Sequence, residues 1–249
     1  MSSEKKRHED KNRSEIKIQL PVTTAVLVDG GFFLSRYKTV FENGQRHSPE
    51  QVVKNLITMA FKHVYRQNGD LYRIFFYDCR PFRKKVHNPL SKKAIDFEKS
   101  DVAQHRNKIH ALLRKERKVA LRYGELKDGN GWSLHGRVLK ELLAGNKKLE
   151  DLQEIDLYYD IAQKGVDMKI GLDVASLAYK GLVKRIILIS GDSDFVPAAK
   201  LARREGIDFI LDPMWSNIHD DLYEHIDGLH STVRNPHGEE NHKKRSEQQ

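Results

Sequence analysis

The stretch Ile186-Ile-Leu-Ile-Ser-Gly-Asp-Ser-Asp-Phe195 decides how this chain is read. A short apolar run bounded by Ser-Gly has the pattern of a buried strand. It delivers Asp192 and Asp194 just past the strand's carboxyl end, ahead of a helix expected over Phe195 to Glu205. Open α/β sheets hold ligands at that place. Capping by Ser193 or Asp194 accounts for one polar residue there, because Asp and Ser accept hydrogen bonds from the free N–H groups of a first turn. The second carboxylate is left over. Two acidic groups one residue apart repel, and a fold that keeps both offsets the repulsion with a cation or a further cap.

Working outward, the same strand-then-helix rhythm recurs. Thr24-Ala-Val-Leu-Val-Asp-Gly-Gly-Phe-Phe33 is an apolar strand that leaves Asp29 at its carboxyl end, with Gly30 and Gly31 letting the backbone approach a ligand; an Asp-Gly turn is the plain alternative. Ser48-Pro49-Glu50-Gln51 opens a helix by N-cap, early Pro and capping box, and Asn68-Gly69 closes it. Leu71 to Tyr77 follows as a second buried strand. A parallel crossover then puts Asp78 on the edge that carries Asp29, although a turn residue before Pro81 is the plainer reading.

Further on, Leu157 to Ala162 reads as a strand, and Gln163-Lys-Gly-Val-Asp167 leads into a helix to Tyr179 with Ile170, Val174, Leu177 and Ala178 inward. Asp167 falls in its first turn, where the helix dipole favours a carboxylate. Asp173 lies well around the helix from Asp167, which suits a supporting role beside a metal rather than a shared ligand position. Ile207 to Leu211 is the last strand.

Residues 80–160 are read as an elaborated insertion on the main domain. Arg80, Arg83, Lys84, Lys85, Lys92 and Lys93 form a basic loop, which reads either as an ordinary solvated face or, from its place after a strand's carboxyl end, as a phosphate contact. Ser100 to Lys118 is expected to be helical, Asp128-Gly-Asn-Gly to turn a hairpin, and Arg137 to Leu143 to form a short helix.

Composition bounds the function classes. With 249 residues, 39% hydrophobic and 32% charged, the chain has the make-up of a globular domain. No run is long enough for a bilayer-spanning helix, the N-terminus lacks an apolar leader, and the single Cys79 excludes an internal disulfide or zinc–thiolate cluster. These features lead to the expectation of a cytoplasmic protein without membrane contact. A formal net charge of +9 favours a polyanionic partner. Residues 1–20 and 232–249 are charged tails expected to be disordered, leaving 21–231 as the domain.

Alternating strands and helices argue for a three-layer α/β domain with a mainly parallel sheet. Asp29, Asp167, Asp192 and Asp194 then share one edge, and four carboxylates without a cysteine cluster suit a hard divalent cation, Mg²⁺ or Mn²⁺. Such a centre serves phosphodiester hydrolysis, with basic side chains holding the strand.

Val28-Asp-Gly-Gly-Phe-Phe, Lys164-Gly-Val-Asp-Met with Asp173 following, and Ser190-Gly-Asp-Ser-Asp-Phe-Val-Pro, in that order, resemble the NYN domain family of PIN-like ribonucleases. The resemblance covers roughly Val22 to Leu229. It implies a PIN-like, Rossmann-type fold, a Mg²⁺ or Mn²⁺ centre and endonucleolytic cleavage of single-stranded or structured RNA. It also implies Asp29, Asp167, Asp192 and Asp194 as catalytic metal ligands, with Asp173 as a further acidic position. Lys164, Arg80, Arg83, Lys84 and Lys85 are the candidate RNA contacts. Many members carry Asn where this chain has Phe32, which puts turnover in question more than metal binding. The 80–160 segment exceeds a minimal NYN core and is expected to serve substrate choice or contacts within a homo-oligomer.

Two other readings compete. One is a non-catalytic RNA-binding module that kept the acidic edge, a reading to which Phe32 points. The other is a phosphatase of the HAD type, because Asp192-Ser-Asp-Phe-Val fits an Asp-x-Asp-x-Val nucleophile motif; the intervening Ser190-Gly191 and the late position weigh against it.

Overall fold

The computed structural model describes residues 20–66 and 68–236. In chain order the elements are β1 (Val22–Asp29), α1 (Gly30–Val40), α2 (Pro49–Arg66), β2 (Gly69–Cys79), β3 (Lys85–His87), β4 (Ala94–Asp96), α3 (Asp101–Leu113) and β5 (Val119–Leu134). They continue with α4 (Gly136–Leu143), β6 (Leu157–Lys164), α5 (Val166–Tyr179), β7 (Arg185–Ile189), α6 (Val196–Arg204), β8 (Asp208–Asp212), α7 (Asp220–Tyr223) and β9 (Gly228–Leu229). Seven strands form one sheet in the order β6-β5-β2-β1-β7-β8-β9, and β3 pairs with β4 separately. Every neighbouring pair of the large sheet is parallel except β5 with β6.

The strands read as unbroken apolar runs because both faces of the sheet are covered. Ala25 and Leu27 join Phe75, Ile186, Leu188 and Phe209 beneath the apolar sides of α5 and α6. Val26 and Val28 join Ile74, Phe76, Ile187 and Ile189 beneath α1, α2 and α3. The alternation is the period-two rule of a strand, and it yields the expected three-layer α/β architecture. The capping signals also act as read: Ser48 Oγ accepts from Gln51 N at 3.3 Å and Ser100 Oγ from Ala103 N at 3.2 Å.

At the end of β8, Asp212 is locked to α2. His63 Nε2 and Asp212 Oδ2 are 2.6 Å apart, with both side chains 0% exposed. The other oxygen, Oδ1, accepts from Met214 N at 2.8 Å and from the Ser231 hydroxyl at 2.7 Å.

The structure corrects five expectations of the fold. The strand Ile207 to Leu211 is not the last, because β9 follows and pairs parallel with β8 at Ile210↔Gly228 and Leu211↔Leu229. The helix begun at Ser100 ends at Leu113 rather than Lys118, because Lys118 takes φ of 62° to swing the chain into β5. Asp128-Gly-Asn-Gly turns no hairpin: β5 continues through it and pairs antiparallel with β6, from Glu125↔Lys164 to Leu134↔Leu157. The glycines make a bulge there, filled by Asp160, whose Oδ2 accepts from Asn130 N at 2.9 Å; a Cβ on Gly129 would meet that carboxylate at 2.2 Å.

Residues 80–160 are also not wholly an insertion. Within them, α3 contributes Ile109 and Leu113 to the core, and β5 pairs parallel with β2 from Ile74↔Val119 to Cys79↔Gly124. Finally, the chain is ordered past the expected boundary at 232: Val233 packs against the core, and its carbonyl accepts from Trp215 Nε1 at 2.8 Å. The remaining parts of the expected tails, 1–19 and 237–249, lie outside the described residues.

Candidate active site

Two neighbouring parallel strands leave the sheet in opposite directions. After β1 the chain packs α1 and α2 on one face, and after β7 it packs α6 on the other. The crevice between β1 and β7 is therefore a topological switch point, where α/β sheets bind ligands. Asp29 stands on one side of it and Gly191-Asp192 on the other, since Val28 lies opposite Ile189 in register.

Asp29 is 8% exposed and caps α1, its Oδ1 accepting from Phe32 N at 3.1 Å. That hydrogen bond replaces the simple Asp-Gly turn. Burial pushes the carboxyl up to about 6; the Phe32 N–H opposes the shift, and the charge of Asp167 adds to it. Asp167 lies in the first turn of α5, and its carboxyl is also raised, first by desolvation and then by the charges of Asp192 and Asp194. Asp167 thus stands between Asp29, which feels its charge, and the Asp192 and Asp194 pair, whose charges it feels. Asp192, rather than Ser193 or Asp194, supplies the local cap: its Oδ1 accepts from Asp194 N at 3.0 Å.

A hard cation suits this donor set in charge and in oxygen chemistry. Among the described residues, however, no three Asp, Glu, His or Cys side chains stand close enough to hold a metal ion as they are. Asp167, Asp192 and Asp194 are exposed, whereas Asp29 is nearly buried; Asp29 and Asp192 are each held through Oδ1 by a capping bond, which leaves their second oxygens outside the cap.

Two neighbours complete the crevice. Gln163, next to last on β6, lies beside the start of α1, and a Cβ on Gly31 would lie 3.5 Å from Asp29 Oδ1 and 3.7 Å from Gln163 Oε1. Sequence reasoning passed over Gln163, although it opens the Gln-Lys-Gly-Val-Asp stretch. Phe32 turns its ring onto Gly191, next to Asp192.

Other acidic residues do structural work. Asp173 accepts from the Tyr77 hydroxyl at 2.8 Å and from Arg122 Nε at 3.0 Å, a strut between α5 and the sheet. Burial, followed by the charge of Asp173, drives the Tyr77 phenol far above its ordinary range. Asp78 is no turn residue: it is 1% exposed, lies 2.8 Å from His110 Nε2 and 3.4 Å from Arg106 Nε, and ties β2 to α3. Cys79 is buried and its thiol is pushed up to about 11, mainly by burial, which makes it inert.

The basic loop is not a row of bare cations. Arg83 pairs with Glu98 at 3.4 Å, Lys84 with Asp128 at 2.7 Å, Lys85 with Asp96 at 3.6 Å and Lys93 with Glu154 at 3.0 Å. Arg80 lies over the Tyr123 ring, 4.8 Å from its centroid, and Lys164 is exposed at the end of β6. The expected phosphate grip thus meets local acidic partners, in exposed pairs that hold only weakly.

With this geometry in place, the NYN domain family matches residues 23–221. The chain belongs to the NYN domain family. NYN domains are PIN-like and nuclease-related, and the mainly parallel seven-stranded sheet agrees with that fold. A crystal structure of a protein of unknown function from Vibrio parahaemolyticus is similar to this NYN domain, with a TM-score of 0.44 and 16% identity over 86% of this chain and 94% of that one. No curated protein is significantly similar. Among the described residues no helix is long and apolar enough to cross a membrane.

Proposed function

We propose that this NYN domain is a Mg²⁺- or Mn²⁺-dependent endoribonuclease that hydrolyses RNA phosphodiesters at the edge formed by Asp29, Asp167, Asp192 and Asp194. One observation carries the reading. Burial raises the proton affinity of Asp29 and Asp167, and the charge of Asp167 reaches Asp29 just as those of Asp192 and Asp194 reach Asp167, which supports a common acidic edge at the switch point. Concentrated negative charge from oxygen ligands suits a divalent ion.

The four aspartates would hold that ion, which when bound supplies Lewis-acid stabilisation of phosphoryl charge and lowers the pKa of water. The chain's own residues do the remainder. Asp29, nearly buried and fixed by the Phe32 N–H, gives the site one rigid carboxylate. Exposed Asp167, Asp192 and Asp194 face the solvent from which a phosphodiester arrives. The Gln163 amide beside Asp29 is a neutral donor for a phosphate oxygen, and Lys164 adds a cation at the same edge.

The test is cleavage of single-stranded and structured RNA by purified protein with Mn²⁺, run with and without chelator. Asp192→Asn is expected to abolish cleavage while the melting temperature is kept. Unchanged cleavage by the variant would place the activity elsewhere.

A non-catalytic RNA-binding module is the second reading, favoured by Phe32 against Gly191 and by the want of three converging ligands among the described residues. Equal RNA affinity in wild type and Asp192→Asn, with no cleavage by either, would decide for it. The phosphatase reading is not carried forward: Asp192 is set off from β7 by Ser190-Gly191, and the family match covers the pair.

A further inference from the structure

Apart from Gln163 and Lys164 at its end, the arm built on β5 and β6 has no task in the proposed chemistry, yet it gathers aromatic rings from separate segments. Phe82 and Phe97 flank the β3–β4 hairpin, Trp132 lies on β5 and Tyr159 on β6. Ring centroids are 5.7 Å apart for Phe82–Phe97, 5.6 Å for Phe97–Tyr159 and 5.5 Å for Trp132–Tyr159, the last pair edge to face. Rings serving only as a core would be buried, but all four keep part of their surface open to solvent. Lys84 Nζ donates to the Tyr159 hydroxyl at 2.9 Å, at the edge of that ring, and residues 80–99 carry seven Lys or Arg against two Asp or Glu, four of the seven in exposed ion pairs that a phosphate can exchange with.

The position of the cluster matters as much as its make-up. Pairing of β2 with β5 stops at Cys79↔Gly124, so the rest of β5 overhangs the edge that holds the carboxylates. Strand β6 runs back from Tyr159 to Gln163, which stands beside Asp29. Alternation puts Tyr159, Ile161 and Gln163 on one face of β6, and the Tyr159-to-Gln163 step spans about 14 Å at strand rise. One continuous face thus leads from the rings to the crevice.

We infer that the Phe82, Phe97, Trp132 and Tyr159 cluster is a stacking platform for unpaired nucleotides, feeding a single RNA strand along β6 toward the carboxylates. Every base has a π-face, so rings flanked by cations bind single strands with little regard to sequence. A duplex keeps its bases stacked inside and cannot use such a platform. The direction of feeding rests on the nuclease reading; the binding itself does not.

The test is fluorescence anisotropy in EDTA with a short labelled oligouridylate and, separately, an RNA duplex of equal charge. Wild type is expected to prefer the single strand. Trp132→Ala should weaken single-strand binding about tenfold, within the range for loss of one stacked base, and leave duplex binding unchanged. No weakening, or equal weakening toward both, overturns the platform. As a readout that does not depend on the arm tolerating truncation, Trp215→Phe leaves Trp132 as the sole indole. Its emission should be quenched on saturation with oligouridylate, and unchanged emission overturns the inference. Cleavage without these effects would sink the platform and keep the nuclease, whereas quenching and strand preference without cleavage would do the reverse.

Discussion

The Phe32 ring lies against Gly191, so close that a Cβ at position 191 would come within 2.9 Å of the ring's Cε2. The contact couples the start of α1, which holds Asp29, to the loop that holds Asp192. Gly191→Ala must displace either the ring or the loop, and it is expected to lower RNA cleavage. Adding Phe32→Ala should recover part of the loss, with a coupling on the order of 1 kcal/mol in a double-mutant cycle on kcat/KM. Strict additivity would show that the contact does not shape the site.

Asp29 sets a pH dependence of stability. Its carboxyl titrates at about 6 in the folded protein against 3.8 as the ordinary value. Between those values the folded state holds a proton that the unfolded chain has released, so stability falls as pH rises through this window and stays lower above it. Asp29→Asn keeps an oxygen to cap Phe32 N but cannot ionise. It should be more stable than wild type at pH 7 by about 3 kcal/mol, with the gap closing toward pH 4, while losing cleavage. Urea unfolding across that range checks it, and a gap independent of pH would contradict it.

A divalent cation should act in the opposite sense to the repulsion. A ligand that binds only the folded state raises stability with its concentration. Mn²⁺ is expected to raise the melting temperature of wild type at neutral pH, to do so much less for Asp192→Asn, and to lose its effect when chelator is added. Equal shifts in both proteins would mean that the ion binds away from the carboxylate edge.

The His63–Asp212 contact predicts a large effect far from any chemistry. Asp212→Ala strips a fully buried imidazole of its carboxylate and also orphans Met214 N and the Ser231 hydroxyl. A loss of about 3 to 5 kcal/mol in chemical unfolding is expected. A loss under about 1 kcal/mol would show that the network is not holding α2 to β8.

Much of this architecture was legible from one-dimensional pattern. Strands covered on both faces, such as Ala25-Val-Leu-Val, leave an unbroken apolar signature, and cap residues such as Ser48 and Ser100 mark helix starts by local hydrogen bonding. The strand-end positions of Asp29 and Asp192 followed from the same signals. What escaped was set by partners distant in sequence. Asp128-Gly-Asn-Gly has turn chemistry, but Asp160 on β6 fills the bulge and keeps the strand running. Arg83, Lys84 and Lys85 look like a phosphate site until Glu98, Asp128 and Asp96 are folded beside them. Asp78 looked like punctuation before Pro81 because nothing local announces His110 and Arg106.

Leu27 and Val28 are successive residues that face opposite layers of the sheet, one beneath α5 and α6 and the other beneath α1 to α3. The central sheet therefore insulates two neighbourhoods that share a backbone but not side-chain contacts. Volume lost on one side must be made good on that side, by Phe75 or Leu188 for Leu27 and by Phe76 or Ile189 for Val28. Each layer can drift in sequence on its own schedule, while the rim they jointly support stays where it is.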